Sequence, residues 1–278
     1  MSNLSLSRIV MIWRSFRDVL GKNDLDLISA GVAFYGMFSI FPAFAASIAI
    51  FGIVADPVVI AEQLDLMRDV IPADVFTLFE AQIDRLLGAG AATLGWASFV
   101  SLAIALWSAR AGVGAMLRGL NAIYAGQTRS GVRHAATALA MTVAMIGVAL
   151  IALIVVVAAP IAIAFIPLAN EWSGLIEVIR WAVALFVLLA ALGILYRYGP
   201  NAAHRSGWVT LGAFVAVGLW YLVSIAFSAY IANFGNYNQV YGSLGAVVAL
   251  LMWFYLSSYL VLLGGVLNVS IARTYPKE

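Results

Sequence analysis

The chain contains no cysteine and few charged residues. Of its 278 residues, 10% are charged and 64% are hydrophobic. Without cysteine, neither a disulfide framework nor a thiolate metal site can form. With so few charged side chains, the chain has too little polar surface for a soluble globular protein of this length. The composition therefore indicates a membrane protein.

Long apolar blocks separate the few charges. Each block meets the about 20 residues that a helix needs to cross about 30 Å of hydrocarbon. The blocks are Ser29–Val54, Leu86–Ala109, Ala136–Ala159, Ile176–Tyr196, Ser206–Ala232 and Ser243–Ala272. The sequence therefore predicts an all-α, polytopic integral membrane protein with six transmembrane helices, and residues 29–272 form its transmembrane domain.

The charges between the blocks alternate in sign from loop to loop. All Lys and Arg residues except Arg68, Arg85 and Arg180 lie in the N-terminal segment, the second and fourth loops and the C-terminus. The other loops hold most of the acids. Because basic loops stay in the cytoplasm, we expect both termini, including the tail 273–278, to be cytoplasmic and the loop 56–85 to be external.

The N-terminal segment, residues 1–28, has its own helical pattern. Apolar residues recur at helical spacing and basic residues fall mostly between them. Such a helix either lies at the cytoplasmic membrane interface, with its bases near anionic headgroups, or packs on the protein's own loops. The segment has no apolar core that ends in a cleavage site, so we expect no removable signal peptide.

The external loop 56–85 predicts two short amphipathic helices. Its carboxylates at a spacing of four are Asp65 with Asp69 and Glu80 with Asp84. Carboxylate pairs of this kind either hold a divalent cation or form the solvated face of a helix. We favour the solvated face and expect no metal site.

The sequence also lacks the groups that most enzymes need. It has no phosphate loop of the GxxxxGK[ST] kind, and the cytoplasmic segment between Arg110 and His134 contains no Asp or Glu. The two histidines, His134 and His204, stand beside arginines at predicted helix ends, which is typical of interfacial residues. We therefore expect no catalytic activity, no cofactor and no specific nucleic-acid partner.

The predicted spans contain hydroxyls and aromatic rings but no acid or base near their centres. A charge relay for ion coupling is therefore not expected. Weakly polar groups suit an amphiphile whose tails stay in lipid while its headgroup follows a groove. They equally suit hydrogen bonds between helices and aromatic belts at the interface.

Four segments of the chain resemble, in order, the YihY/BrkB family of bacterial inner-membrane proteins, formerly labelled ribonuclease BN. They are AGVAFYGMFSIFPAFAASIAIFGIV, LWSARAGVGAMLRGLNAIY, YRYGPN and NYNQVYGSLGAVVALLMWFYLSSYLVLLGGVLN. The resemblance covers nearly the whole chain and implies a six-helix membrane protein with cytoplasmic termini. Roles proposed for the family cluster around envelope lipid movement and virulence-associated resistance.

The resemblance also marks individual positions. The family motifs fall on Ala33, Phe34, Tyr35, Ser39, Phe41, Pro42, Trp107, Ser108, Arg110, Asn121, Tyr124, Tyr196, Pro200, Tyr237, Tyr241, Gly242, Ser243, Gly245, Trp253, Tyr255 and Asn268. This chain departs from the family at Val266, where relatives commonly carry an acid. A role that relatives give to that acid is absent here.

Arg110 is the leading candidate for a lipid contact. It follows Trp107 and Ser108 at the predicted cytoplasmic end of the second helix, where a guanidinium can grip a phosphate or cap helix carbonyls. Snorkelling places an arginine at the same boundary. The full set of candidate lipid-binding residues is Arg110, Trp107, Ser108, Tyr35, Ser39, Asn121, Tyr241, Trp253 and Tyr255.

Two functions follow from this sequence. The first is an inner-membrane protein that handles or transports a lipid or other amphiphile in envelope maintenance. The second is a scaffold that transports nothing and binds an envelope protein through the loop 56–85. A lateral groove open to lipid favours the first, whereas a closed bundle with an apolar external patch favours the second.

Overall fold

The fold is all-helical wherever the chain is described. The computed structural model describes residues 6–54, 91–126, 131–153, 173–202, 207–232 and 243–274. These residues form seven helices and no strand, which confirms the predicted all-α class. The helices are α1 (Leu6–Lys22), α2 (Leu25–Val54), α3 (Ala91–Ile123), α4 (Gly131–Leu153), α5 (Ser173–Tyr198), α6 (Leu211–Ala232) and α7 (Ser243–Thr274).

The chain forms two compact units. The larger unit comprises Met1–Phe34 and Arg110–Glu278, and the smaller unit comprises Tyr35–Ala109. In the larger unit, α7 packs against both α6 and α1, and α5 packs against both α4 and α6. The larger unit therefore contains most of the interhelical packing described below.

Five helices are long and apolar enough to cross a membrane. The candidate spans are Phe99–Ile123, Gly131–Val148, Glu177–Tyr198, Leu211–Ile231 and Val247–Thr274. Only 17% of the span residues in α4, α5 and α6 are buried within the protein. Most of their apolar surface therefore faces outward, which suits a lipid environment and not water. This confirms a multi-pass membrane protein.

The first predicted span, Ser29–Val54, falls on α2 and is not among these five. That helix is continuous over 30 residues, and its described apolar part, Leu25–Ile40, is shorter than a span. Six spans and cytoplasmic termini therefore stay predictions. The loop 56–85 lies outside the described residues.

The second predicted span ends later than the sequence indicated. We placed its end at Ala109 and treated Arg110 as the start of a loop, but α3 continues to Ile123. The reason is that Leu117 and Leu120, three residues apart on the same helix face, are almost fully buried. The added helical turns bury an apolar stripe while their arginines lie elsewhere on the helix, so the helix continues past the charge.

A close contact between α6 and α7 depends on glycine at two positions. A Cβ atom on Gly264 would lie 2.6 Å from the carbonyl oxygen of Gly212 and closer still to the hydroxyl of Tyr196. A Cβ atom on Gly212 would in turn overlap the carbonyl oxygen of Gly264. Small residues at a helix crossing let two backbones approach closely within a membrane. The pair therefore sets the distance between α6 and α7.

The core of the larger unit is built around Tyr196. Its ring is 1% exposed and its hydroxyl donates a hydrogen bond of 2.7 Å to the carbonyl oxygen of Val261. This bond satisfies the polar atom of an otherwise apolar core. The buried residues that form the cluster with it are Val19, Leu25, Met116, Leu117, Leu120, Ile123, Ala138, Met141, Leu195, Ala213, Leu262, Val266 and Val269.

Helix α1 is docked on the end of α7. Val19 lies in the core cluster, and Asp18 forms an ion pair of 3.5 Å with Arg273 of α7. A hydrogen bond from Lys22 is the largest cause that lowers the pKa of Asp18. Desolvation opposes it, and the charges of Lys22 and Arg273 lower the pKa further. Trp13, on another side of α1, is exposed. Helix α1 therefore packs on another helix, α7, and not on loops alone, and its predicted place at the membrane interface stays a prediction.

Candidate functional site

A groove of about 450 Å³ lies between α4 and α5 in the larger unit. We call it the α4–α5 groove. One wall comes from α4 and the other from the end of α5 and the turn that follows it. Its lining residues are Thr137, Ala140, Met141, Ala144, Ile194, Arg197, Tyr198, Pro200, Asn201 and Ala202.

The lining of the α4–α5 groove changes from polar to apolar along its length. Thr137, Arg197 and Asn201 stand where α4 begins and α5 ends. Ala144 and Ile194 lie further along the two spans, deeper in the apolar part of each helix. Because α4 and α5 run in opposite directions here, both walls carry their polar residues at the same end. The groove is therefore polar at one end and apolar along the rest, which matches the headgroup and the tail of an amphiphile.

Arg197 is held at the polar end by aromatic rings. Its guanidinium carbon lies 5.1 Å from the ring centre of Trp208 and 5.8 Å from that of Tyr198. The two rings meet edge to face at 5.8 Å. Cation–π contacts of this kind orient a guanidinium over the ring faces. The geometry therefore fixes the direction of Arg197, the only cation among the described residues that line the groove.

The wall that carries Asn201 is tied to the end of α3. The side-chain oxygen of Asn121 accepts a hydrogen bond of 2.8 Å from the Asn201 amide, and its nitrogen donates to the carbonyl oxygen of Gly126 at 3.2 Å. Ala125 has a φ of 48° in the same turn. Asn121 thus braces the turn after α3 against the turn after α5. Its predicted contact with lipid stays a prediction.

The side-chain amide of Asn268 links α7 to α6 and to the turn after α3. The side-chain oxygen of Asn268 accepts a hydrogen bond of 2.9 Å from the amide of Gly212, and its nitrogen donates to the hydroxyl of Tyr124 at 3.4 Å. Nearby on α7, Val266 is completely buried in the core cluster. An acid at this position would lie among apolar side chains, where its charged form is strongly disfavoured. Valine instead completes the apolar packing.

Three further predicted site residues lie in the larger unit. Arg110 is partly buried on α3. Trp253 on α7 packs against Trp220 and Phe227, with ring centres 5.6 Å and 5.2 Å apart. Tyr255 stacks on Tyr259 of the same helix at 6.1 Å. None of the three lines the α4–α5 groove.

The smaller unit carries four predicted site residues. Tyr35 and Trp107 are both exposed, and Trp107 has 69% of its surface accessible. Ser108 is buried, and the hydroxyl of Ser39 donates to the carbonyl oxygen of Gly36 at 2.7 Å. The Ser39 bond is a contact within one helix, and it differs from the bonds between helices predicted as the alternative for such hydroxyls. Their roles in lipid binding stay predictions.

The remaining predicted groups are only partly described. Tyr241, His204 and the external carboxylate pairs lie outside the described residues. Nε2 of His134 lies 3.4 Å from a guanidinium nitrogen of Arg118. Among the residues that the structure describes, no group of three His, Asp or Glu side chains is placed to hold a metal ion.

Four residues at the groove were not among the predicted site residues: Thr137, Arg197, Asn201 and Trp208. Arg197 entered the prediction only as a basic charge that indicates orientation. The available signal was the segment YRYGPN, which contains Arg197 and Asn201 and stands out by its family resemblance. That signal does not reveal that α4 supplies the second wall.

Comparison with known proteins identifies the family. The family model described as virulence factor BrkB matches residues 16–278. The ribonuclease-like protein YfkH of Bacillus subtilis is 32% identical over 250 residues, which cover 88% of this chain and 89% of that protein. A UPF0761 membrane protein of Idiomarina loihiensis is 34% identical over 104 residues, 37% of each chain.

A UPF0761 membrane protein of Xanthomonas campestris is 38% identical over 93 residues, which cover 33% of this chain and 22% of that protein. No solved structure matches the chain. The family match and the relative from Bacillus subtilis both extend over most of the sequence, and the structure has five helices suited to spanning a membrane. The chain therefore belongs to the BrkB family of membrane proteins.

Proposed function

We propose that this protein binds a lipid or other amphiphile and moves it within the bacterial inner membrane, without ATP hydrolysis or a buried ion relay. The observation that carries the proposal is the graded polarity of the α4–α5 groove. A phosphate or other polar headgroup fits beside Arg197 and Asn201, and an apolar tail fits along Ala144 and Ile194. No catalytic step is part of the proposal.

The physical setting favours a ligand that is selected by its headgroup. Lipid tails are as apolar as the groove walls, so a tail gains little free energy by leaving the bilayer for the groove. Polar contacts must therefore supply most of the selectivity, and the groove concentrates these at one end. The small side chains Ala140 and Ala144 leave room for the tail at the other end.

The location of the groove also supports the proposal. Both helices that form it are candidate spans, and only 17% of their span residues are buried within the protein. An amphiphile reaches such a groove sideways from the bilayer and does not need to cross water. Lateral access is the feature that distinguishes lipid handling from a purely structural bundle.

The candidate residues outside the groove extend the proposal. In it, Arg110 is a second phosphate contact, and the exposed ring of Trp107 lies against lipid. We expect Arg110→Lys to keep less bound lipid than wild type if the planar guanidinium grips a phosphate, because a point charge replaces a bidentate contact.

Filling the apolar end of the groove tests the function. We expect Ala144→Phe to reduce both the phospholipid that copurifies with the protein and the transfer of labelled lipid between leaflets of reconstituted vesicles. The matched control is Val143→Phe, which adds a ring to the adjacent residue of α4, whose side chain is 58% exposed outside the groove. Bound phosphorus and leaflet exchange are measured for both variants.

The two variants separate the possible results. Loss of bound lipid and of exchange in Ala144→Phe alone supports the proposal. Equal values in wild type and both variants show that the α4–α5 groove holds no transported amphiphile. If both variants lose bound lipid and leaflet exchange to the same extent, the cause is a general disturbance of α4. This result also contradicts the proposal.

A further inference from the structure

We infer that the α4–α5 groove selects an anionic lipid whose phosphate is gripped by Arg197 and whose headgroup carries no amine. This inference rests on the proposed function and names the ligand class for the same groove. Phosphatidylglycerol is an example of this class, whereas phosphatidylethanolamine carries a balancing ammonium group.

The orientation of Arg197 suits an edge-on phosphate. Its guanidinium lies over the rings of Trp208 and Tyr198, at 5.1 Å and 5.8 Å from their centres. The two rings are inclined by 73°, so at most one of them lies flat against a face of the guanidinium. A contact of that kind leaves the N–H donors pointing outward in the guanidinium plane. A guanidinium held in this way can bind a phosphate with two parallel hydrogen bonds. A lysine side chain has neither a planar group that packs on an aromatic ring nor two parallel donors for a phosphate.

The charge around the polar end favours an anion. Arg133 lies one turn before Thr137 on α4, so it is on the helix face that lines the groove. The sequence contains no Asp or Glu from residue 86 to 170 or from residue 178 to 277. The α5 wall of the groove therefore carries Arg197, and Arg133 lies one turn before the lining of the α4 wall. Neither segment supplies a carboxylate that could receive a headgroup amine.

The apolar walls favour a lipid over a soluble phosphate ester. The lining continues from Arg197 to Ile194 on α5 and from Thr137 to Ala144 on α4. A soluble phosphate ester would leave this apolar length without a ligand. A lipid and a soluble phosphate ester both carry a phosphate group that Arg197 can bind. The apolar part of the groove walls favours the lipid, because only a lipid has a tail to fill it.

The experiment is a competition between two lipids on the full-length protein. Detergent-solubilised protein is mixed with equal amounts of phosphatidylglycerol and phosphatidylethanolamine of matched acyl chains, and native mass spectrometry measures the ratio of bound lipids. We expect wild type to favour phosphatidylglycerol by about tenfold, because the ammonium group of phosphatidylethanolamine competes with Arg197 for the phosphate and meets no carboxylate from either wall.

Variants assign the selectivity to Arg197. Arg197→Gln should bring the ratio of bound lipids close to one, and Arg197→Lys should retain part of the preference. The matched control is Arg180→Gln at the other end of α5, because Arg180 also lies over a tryptophan, with 5.5 Å to the ring of Trp181. Arg180→Gln should keep the wild-type ratio. An unchanged ratio in Arg197→Gln, or an equal change in Arg180→Gln, overturns the inference.

Two further measurements separate this inference from the proposed function. If Ala144→Phe removes bound lipid while Arg197→Gln leaves the ratio unchanged, the amphiphile groove stands and the headgroup selection is wrong. If Ala144→Phe leaves all lipid bound, the proposed function itself fails. Glycerol 3-phosphate should not displace lipid at equal concentration, and displacement would show that the ligand is a soluble phosphate ester.

Discussion

Gly264 shows how one missing side chain determines the packing of the larger unit. At this position α7 meets the backbone of α6 and the hydroxyl of Tyr196, and the same hydroxyl is bonded to Val261 of α7. Close backbone approach and the tyrosine hydrogen bond therefore depend on one another. Glycine in a membrane-spanning helix is a general packing signal, but the sequence does not identify its partner on α6.

We expect Gly264→Ala to destabilise the protein by about 1–3 kcal/mol, because the added methyl group overpacks a contact between two backbones. The measurement is thermal unfolding of the detergent-solubilised protein. Gly218→Ala on α6 is the control, since a Cβ atom there meets nothing within 4 Å. A helix interior generally gains about 0.5–1 kcal/mol from replacing glycine by alanine, so the control should be as stable as wild type or more stable. Equal stability of the two variants would show that the crossing tolerates a larger residue.

The candidate site could be predicted only in part from individual residues. Arg197 and Asn201 lie in a segment that the family resemblance singled out, YRYGPN. The role of Arg197 depends on Trp208, which stacks on it from beyond the end of α5, and on a groove wall from α4. Such contacts join separate stretches of the chain, and a single sequence contains no direct signal for them.

Helix α1 shows the same limit for a whole element. Its periodicity predicted an amphipathic helix, and both a membrane interface and the protein's own surface were open as its partner. The structure places Val19 in the core and exposes Trp13 on another side. Sequence periodicity therefore identified the apolar residues of α1, and packing against α7 determined which of them are buried.

The packing of α1 against α7 is tested by truncating Val19, the side chain of α1 that lies in the core cluster. We expect Val19→Ala to lower the free energy of unfolding by roughly 2 kcal/mol, because it leaves a cavity in the core cluster. Trp13→Ala removes a larger side chain that is 59% exposed and should change stability much less. Thermal unfolding in detergent measures both. If Trp13→Ala is the more damaging change, α1 is anchored by its other side.

The end of α3 was mispredicted for a related reason. Hydropathy alone placed the end of the span before Arg110, whereas the helix continues to Ile123 because Leu117 and Leu120 pack in the core. A charged residue ends an apolar run without ending a helix. The centres of the spans were therefore predictable, and the helix ends depended on packing.

At the scale of the whole molecule, composition was sufficient to identify the class. The long apolar runs predicted a helical multi-pass protein, and five candidate spans confirm that class. The number of spans and their orientation rest on α2 and on the distribution of basic residues. How the helices are arranged around a groove depends on tertiary contacts that composition does not contain.

Reporter fusions test the predicted orientation. Reporters placed after Thr128 or Tyr275 should report the cytoplasm, and one placed near Ala73 should report the external side, because most basic residues flank the former positions. An alkaline phosphatase fusion and a fluorescent protein fusion at each position give opposite readouts. External activity at Thr128 would reverse the assignment of both termini.

The central claim is that an amphiphile occupies the α4–α5 groove, and photolabelling tests it most directly. Full-length protein in bilayer nanodiscs is exposed to a phospholipid that carries a photoreactive group on its acyl chain, and mass spectrometry maps the labelled residues. We predict strong labelling of Ala140, Ala144 and Ile194, and loss of that labelling in Ala144→Phe but not in Val143→Phe. Uniform labelling of all exposed apolar faces, including Leu222 on α6 at the same level as the groove residues, would contradict the account.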